Sequence, residues 1–300
     1  MKHMSILLSK TTQILIQGIT GKEGRRAGEA MLAYHTAVMC GVTPGKGGQS
    51  VRGLPVFNSV AEAKAVFPDL EASAVYVPPA FAKAAVLESI SSGLKLINVI
   101  TERIPIQDTA YFLAAARSAG ARLVGPASVG MIAPGIGRIG MIGGPNPEDI
   151  YTPGPVGVIS RSGAMTNELS WMMRQAGLGQ STAVGIGGDL LIGTTYGDLL
   201  LDFEKDPQTK AIAIFGEMGG RYEYEIVNLR KAGRITKPVA IFIGGKFGAK
   251  LPEGTALGHA GAIIEKGRGS VADKEQELRE AGIMVAEEFY DLPQLIKEHL

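Results

Sequence analysis

The chain has 300 residues, 45% hydrophobic and 20% charged, which suits one large domain or two ordinary ones and excludes disorder. Lys and Arg number 30 against 29 Asp and Glu, and the net charge of +1 excludes both a strongly basic nucleic-acid binder and an acidic tail protein. The single cysteine, Cys40, excludes an internal disulfide and a thiolate zinc cluster and favours a cytoplasmic setting; no secretory leader is read, and no run approaches the ~18 apolar residues of a membrane span.

In chain order, residues 14–17 read as a strand, 22–34 as a helix, 37–40 as a strand and 55–57 as a short one. Helices are expected over 61–67 and 79–92 with a strand at 74–77 between them, then a strand at 96–100, a helix at 107–119 and a strand at 122–124. Short β-branched runs separated by helices imply a parallel sheet covered on both faces. Residues 126–155 are rich in Gly and Pro and break this rhythm, so the interdomain connection is placed there. The rhythm restarts with strands at 156–160, 182–185, 211–215 and 238–243 and helices at 163–176, 196–204 and 222–232. A Gly-rich loop over 244–261 precedes a helix at 271–281, a strand at 283–285 and a helix at 290–299. The expected architecture is α/β: a Rossmann-like domain over 1–125, a linker over 126–155 and a flavodoxin-like domain over 156–300, both with parallel sheets.

Glycine is in excess, 41 residues without a collagen period, which places many of them where backbone approaches a ligand or takes φ > 0. The first strand-to-helix turn is Gly18-Ile19-Thr20-Gly21-Lys22-Glu23-Gly24. Its GxxGxxG spacing is not the GxGxxG of dinucleotide enzymes, yet it lets backbone N–H groups approach a phosphate at the helix N-terminus; the other reading is a turn that only packs. No acidic residue ends the second strand, where a ribose diol would be held. That strand runs instead into Gly41-Val42-Thr43-Pro44-Gly45-Lys46-Gly47-Gly48, where Lys46 either meets a phosphate or is a solvated loop lysine. Gly47 stands where a Walker A loop needs Ser or Thr for Mg²⁺.

Among four histidines, His3 and His299 lie near the termini and His35 follows the first helix. His259 differs, because Gly258, Ala260, Gly261 and Ala262 around it leave an imidazole room to move and a large substrate room to reach it. A lone loop histidine is as readily a bystander, and no second histidine lies near enough in sequence to form a metal site with it. Glu217, in Gly216-Glu217-Met218-Gly219-Gly220, follows a buried strand, where it would orient and charge-stabilise a histidine or else cap a helix. The turns Ser160-Arg161-Ser162-Gly163 and Gly185-Ile186-Gly187-Gly188-Asp189 also follow strands and offer backbone donors to an anion. Ser162 is not read as a nucleophile, since Gly-x-Ser-x-Gly is absent.

Together these segments resemble, along essentially the whole chain, the alpha-type subunit of the succinyl-CoA synthetase and ATP-citrate lyase family of ADP-forming acid–CoA ligases. The most specific is the Gly258–Ala262 loop, which is similar to the family's active-site histidine loop, with the 216–220 and 185–189 segments in matching order. The resemblance implies that His259 is phosphorylated from ATP and passes the phosphoryl group to a substrate carboxylate, and that CoA then attacks the acyl phosphate. It implies that Glu217 steadies the phosphohistidine. It implies CoA-binding positions at Thr20, Gly21, Lys22, Glu23, Lys46, Ile100, Thr101 and Glu102. It further implies a phosphate and carboxylate pocket at Ser162 and Gly163, with Asn167, Gly187 and Gly188 beside it. In the family, ATP and Mg²⁺ are bound by an ATP-grasp beta-type partner subunit, so a hetero-oligomer is implied, with a phosphohistidine that moves between two sites. No nucleic-acid or membrane partner is expected.

The chain departs from the succinate-specific pattern in three places. It has Gly125-Pro126-Ala127-Ser128-Val129-Gly130 where those members carry Asn-Cys-Pro after Gly-Pro, and Asn167 where they carry Tyr. Both changes, with residues 231–238, resemble ATP-citrate lyase and citryl-CoA synthetase, and an amide in place of a ring adds a group for a further carboxylate or hydroxyl. Arg103 replaces a usual Gly. With no citrate-synthase-like portion in the sequence, formation rather than cleavage of citryl-CoA is expected. Two other classes share the first half, an NAD(H)-binding oxidoreductase or redox sensor and a noncatalytic CoA-binding regulator. The missing acidic residue counts against the former, and His259 with Glu217 against the latter.

Overall fold

The computed structural model describes residues 5–246 and 270–300. Gln13–Gln17 (β1) and Val38–Val42 (β2) pair in parallel across the helix Lys22–Ala33 (α1). Ile14, Leu15 and Ile16 are all buried, as expected of a strand covered on both faces. Ser50–Val51 (β3), Leu54–Phe57 (β4), Val60–Val66 (α2), Leu70–Val75 (β5), Pro79–Ser91 (α3), Leu96–Val99 (β6), Ile106–Ser118 (α4) and Arg122–Val124 (β7) follow. The sheet order is β3-β4-β2-β1-β5-β6-β7, with β3 antiparallel at the edge. Without β3 it is the 3-2-1-4-5-6 order of a Rossmann sheet.

The second sheet contains Gly130–Ala133 (β8), Gly137–Gly140 (β9), Pro153–Ser160 (β10), Gln180–Gly185 (β11), Ala211–Glu217 (β12), Val239–Gly244 (β13) and Met284–Val285 (β14). Its helices are Gly163–Gln175 (α5), Tyr196–Lys205 (α6), Tyr224–Lys231 (α7), Val271–Glu280 (α8) and Leu292–Lys297 (α9). Strand order β14-β13-β12-β10-β11-β8-β9 contains the flavodoxin-like 2-1-3-4-5 arrangement, with β10 and β12 at the switch point. Alternate residues of β12 serve opposite faces: Ile212 and Ile214 join the cluster that holds Leu199 of α6 and Val227 of α7, while Ala211 and Ala213 join that of Leu169 of α5 and Ile296 of α9.

Two readings are corrected by the structure. The 126–155 stretch holds the hairpin β8–β9, which pairs antiparallel with β11, so the second sheet is mixed rather than purely parallel. The terminal helix is shorter than 290–299, because a 3-10 turn occupies Phe289–Asp291 before α9.

The two halves share one core. A single cluster of buried residues contains Ile14, Ile16 and Val56 from the first and Ile159, Val184 and Ile214 from the second. Arg138 on β9, 1% exposed, reaches across to α1: Nη2 donates to Ala30 O at 2.6 Å, and Nη1 to Ile142 O and Gly144 O at 3.0 and 2.8 Å. Thr36 Oγ1 donates to Arg138 O and accepts from Arg138 N–H, both at 3.0 Å.

Candidate functional site

Both sheets present the C-terminal ends of their parallel strands, where open α/β folds bind ligands. At the first, Gly18 takes φ +82, and a Cβ there would lie 2.9 Å from Tyr76 O, so the turn requires glycine. Gly21 caps α1 without any side-chain hydrogen bond, which leaves first-turn N–H groups for a ligand. Thr20 Oγ1 donates to Thr43 Oγ1 at 3.2 Å and so ties this turn to the loop carrying Lys46. Lys22, Glu23 and Lys46 are exposed. Thr20, Gly21, Lys22, Glu23 and Lys46 thus share one edge of the sheet, on neighbouring strands β1 and β2.

Ile100, Thr101 and Glu102 follow β6 on the same edge, with Thr101 Oγ1 donating to Val77 O at 2.7 Å. Ile100 and Glu102 turn toward the other half, where they line a cleft of about 740 Å³ with Ser162, Gly163, Asn167 and Gly188. The structure therefore brings residues from both halves to one cavity. Thr20 to Glu23, Lys46, Gly187 and Glu217 do not line it.

Ser162 caps α5, its Oγ accepting from Met165 N–H at 3.4 Å. Gly163 packs on Val129, 2.8 Å from where its Cβ would be. Gly187 takes φ +104, with Pro126 O only 2.0 Å from a would-be Cβ. The Asn167 amide is fixed by two donors to its Oδ1, Gly143 N–H at 3.0 Å and Tyr151 O–H at 2.7 Å. Only Nδ2 remains, so Asn167 can offer the cleft a donor and not an acceptor. Burial pushes the Tyr151 hydroxyl well above its ordinary range, which keeps it a proton donor to Asn167.

Arg161 is the residue whose importance the sequence did not disclose. Its side chain, 2% exposed, forms an ion pair with Glu217 at 3.0 Å, Nη1 to Oε1. Nε and Nη2 donate to Gly187 O and Asp189 O, and the guanidinium lies 5.3 Å from the Tyr222 ring centroid. One fork thus fixes the ends of β10, β11 and β12 relative to one another. The signal was present as an arginine between serines directly after a buried apolar strand. Behind Glu217, its N–H donates to Glu223 Oε1 at 3.2 Å and its carbonyl accepts from Lys274 Nζ at 2.7 Å.

His259 lies outside the described residues, as does most of the 244–261 loop. His35 and His299 are exposed and away from the cleft. Among the described residues no group of three or more His, Cys, Asp or Glu could hold a metal ion, and no helix is long and apolar enough to cross a membrane.

Comparison with known proteins matches residues 9–103 to the CoA binding domain and residues 159–284 to the CoA-ligase family. The first half is therefore a CoA-binding unit, which favours CoA over the NAD(H) alternative. The chain is 44% identical over 282 residues to the alpha subunit of ADP-forming succinate–CoA ligase from Methanothermobacter thermautotrophicus, covering 94% of this chain and 92% of that one. It is 40% identical to an ADP-forming sulfoacetate–CoA ligase subunit of Bilophila wadsworthia, covering 98% and 99%. Among solved structures, ATP citrate lyase of Methanosaeta concilii in complex with (3S)-citryl-CoA superposes with a TM-score of 0.91 at 27% identity; the match covers 97% of this chain and 50% of that longer one. The CoA-binding and CoA-ligase halves, joined at one cleft and similar to these subunits from end to end, show that the chain belongs to the alpha subunits of the ADP-forming acid–CoA ligases, the family of succinate–CoA ligase.

Proposed function

We propose that this alpha subunit forms an acyl-CoA from CoA, ATP and an acid that carries a second anionic group, with His259 as the phosphoryl carrier. His259 attacks the γ-phosphorus of ATP and ADP departs. The phosphoryl group then passes to a carboxylate oxygen of the acid, which restores the imidazole and gives an acyl phosphate. The CoA thiolate attacks the acyl carbon and releases phosphate. Glu217, set in place by Arg161, charge-stabilises the phosphorylated imidazole. The Ser162 hydroxyl and backbone N–H groups at Gly163, Gly187 and Gly188 receive the phosphate, and Asn167 Nδ2 donates to the acid. Thr20, Gly21, Lys22, Glu23 and Lys46 take the phosphates of CoA, and Ile100, Thr101 and Glu102 lead its thiol end toward the cleft. An ATP-grasp beta-type partner in the cytoplasm supplies ATP and Mg²⁺.

The observation that supports this most is the single cleft lined by Ile100 and Glu102 from the CoA-binding half and Ser162, Asn167 and Gly188 from the ligase half. A thiol and an activated carboxylate must meet at one point, and this is where the two halves converge. The acids in the names of the relatives and of the solved complex, succinate, sulfoacetate and the citrate moiety, share an anionic group beyond the reacting carboxylate. Residues 1–125 and 156–300 serve as CoA unit and phosphoryl-transfer unit, and 126–155 connects them while adding the hairpin β8–β9 to the second sheet.

Incubation of the purified complex with γ-labelled ATP tests the carrier. An acid-labile, base-stable label is expected on this chain and lost in His259→Ala. Full labelling of that variant would overturn the assignment. Titration with CoA and NADH tests the ligand of the first half, since tight NADH binding without CoA binding would do the same there. An acid panel of succinate, malate, citrate and itaconate, followed by CoA thiol loss, identifies the acid.

A further inference from the structure

Arg103 lines the same cleft, on the loop after β6. Its backbone takes φ +58, a left-handed conformation that glycine adopts freely and L side chains do not. Ala127, which lines the same cleft and donates its N–H to Thr101 O at 3.1 Å, has φ +55. Non-glycine residues held in this region concentrate at ligand sites, where the side chain does something a glycine cannot. The Arg103 guanidinium is exposed, and among the described residues no hydrogen bond or ion pair engages it. By contrast, the other guanidinium on the cleft, that of Arg161, is committed to Glu217 and two carbonyls. Glu102 and Asp189 add carboxylates to the lining, so without Arg103 the cleft would be net negative around an anionic substrate. The charged part of CoA belongs at the separate edge that carries Lys22 and Lys46. What enters the cleft from CoA is its uncharged thiol end, and the phosphate is met by backbone N–H groups at Gly163 and Gly188, which leaves the remote charge of the acid as the anion in need of a side-chain cation there.

We propose that Arg103 is a specificity-determining residue that pairs with the second anionic group of the acid, a carboxylate or sulfonate, while the reacting carboxylate is held by Asn167 Nδ2 and the start of α5. This rests on the ligase reading above. The residue selects acids with remote negative charge and discriminates against monocarboxylates, in which the charge would have no counterpart.

The test measures affinities of butyrate, succinate, tricarballylate and CoA for the co-expressed complex by ligand-observed NMR titration, in wild type, R103G and R103K. Glycine suits the backbone at this position, so R103G is expected to melt no lower than wild type. R103G should weaken succinate and tricarballylate by about tenfold and leave butyrate within about twofold, with part of the loss recovered in R103K. Equal weakening of all three acids, or a loss confined to CoA, overturns the proposal, the latter by assigning Arg103 to CoA. The two readings fail separately. An unlabelled His259 in a complex where R103G still weakens succinate but not butyrate sinks the phosphoryl-carrier mechanism alone. A labelled His259 in a complex where R103G binds succinate as tightly as wild type sinks the role of Arg103 alone.

Discussion

Lys274 and Glu223 form an ion pair with side chains 0% and 1% exposed, and together they hold both backbone groups of Glu217. The lysine also donates to Gly219 O, so the whole turn after β12 hangs on α8. Removing one member of such a pair leaves an uncompensated buried charge, which costs about 3–5 kcal/mol. K274M is therefore expected to lower the urea midpoint steeply, and the double variant K274M/E223L to recover much of the loss. If K274M alone unfolds at the wild-type midpoint, the pair contributes nothing to holding Glu217.

Arg161 is expected to resist replacement by lysine. An ammonium keeps the charge but cannot meet Glu217, Gly187 O and Asp189 O from one planar fork. R161K should lose about 100-fold in kcat/KM for the acid, from misplacement of Glu217 and the Gly187 turn. Its affinity for CoA should stay within about twofold, since the Thr20 turn and Lys46 lie on a different sheet edge. Steady-state kinetics paired with CoA titration separates the two effects.

Gly187 and Gly233 give a matched comparison of space and strain. Both have positive φ, +104 and +65, but a Cβ at Gly187 would strike Pro126 O at 2.0 Å, whereas nothing lies within 4 Å at Gly233. Gly233→Ala should cost about 1 kcal/mol. Gly187→Ala should cost roughly 3 kcal/mol or more, because a backbone carbonyl must move. Thermal melts of the two variants check the ranking.

Cys40 is fully buried on β2, and burial pushes its thiol up to about 12. The thiolate is the reactive form, so at pH 8 native Cys40 should not react with Ellman's reagent, and one thiol should appear on denaturation. Loss of free thiol during turnover then owes nothing to the cysteine of this chain. Rapid native labelling would contradict the burial.

The alternation of strand and helix was legible wherever β-branched runs made buried parallel strands, as in Ile14-Leu15-Ile16 and Ile212-Ala213-Ile214. The hairpin β8–β9 was not. Its strands, Gly130–Ala133 and Gly137–Gly140, carry glycines that read as loop, and Arg138 reads as a surface residue until α1 is placed beside it. The two-residue strand β3 is too short to carry a period. The Gly turns and Glu217 were readable because strand-end position alone marks them. The fork of Arg161 was not, since its partners lie 26 to 56 residues away and meet it only through the strand order. The same holds for the convergence of Ile100 and Glu102 with Asn167, which depends on how the two sheets face each other.

Arg138 carries a consequence for how such chains diversify. A chimera that exchanged the CoA-binding half for a foreign module would strip this guanidinium of Ala30 O, and Thr36 of its exchange with the Arg138 backbone. It would strand a cation in the dark interior of the recipient. The hairpin and the helix it grips are thus inherited as a set, and novelty in substrate is left to the few side chains that rim the seam.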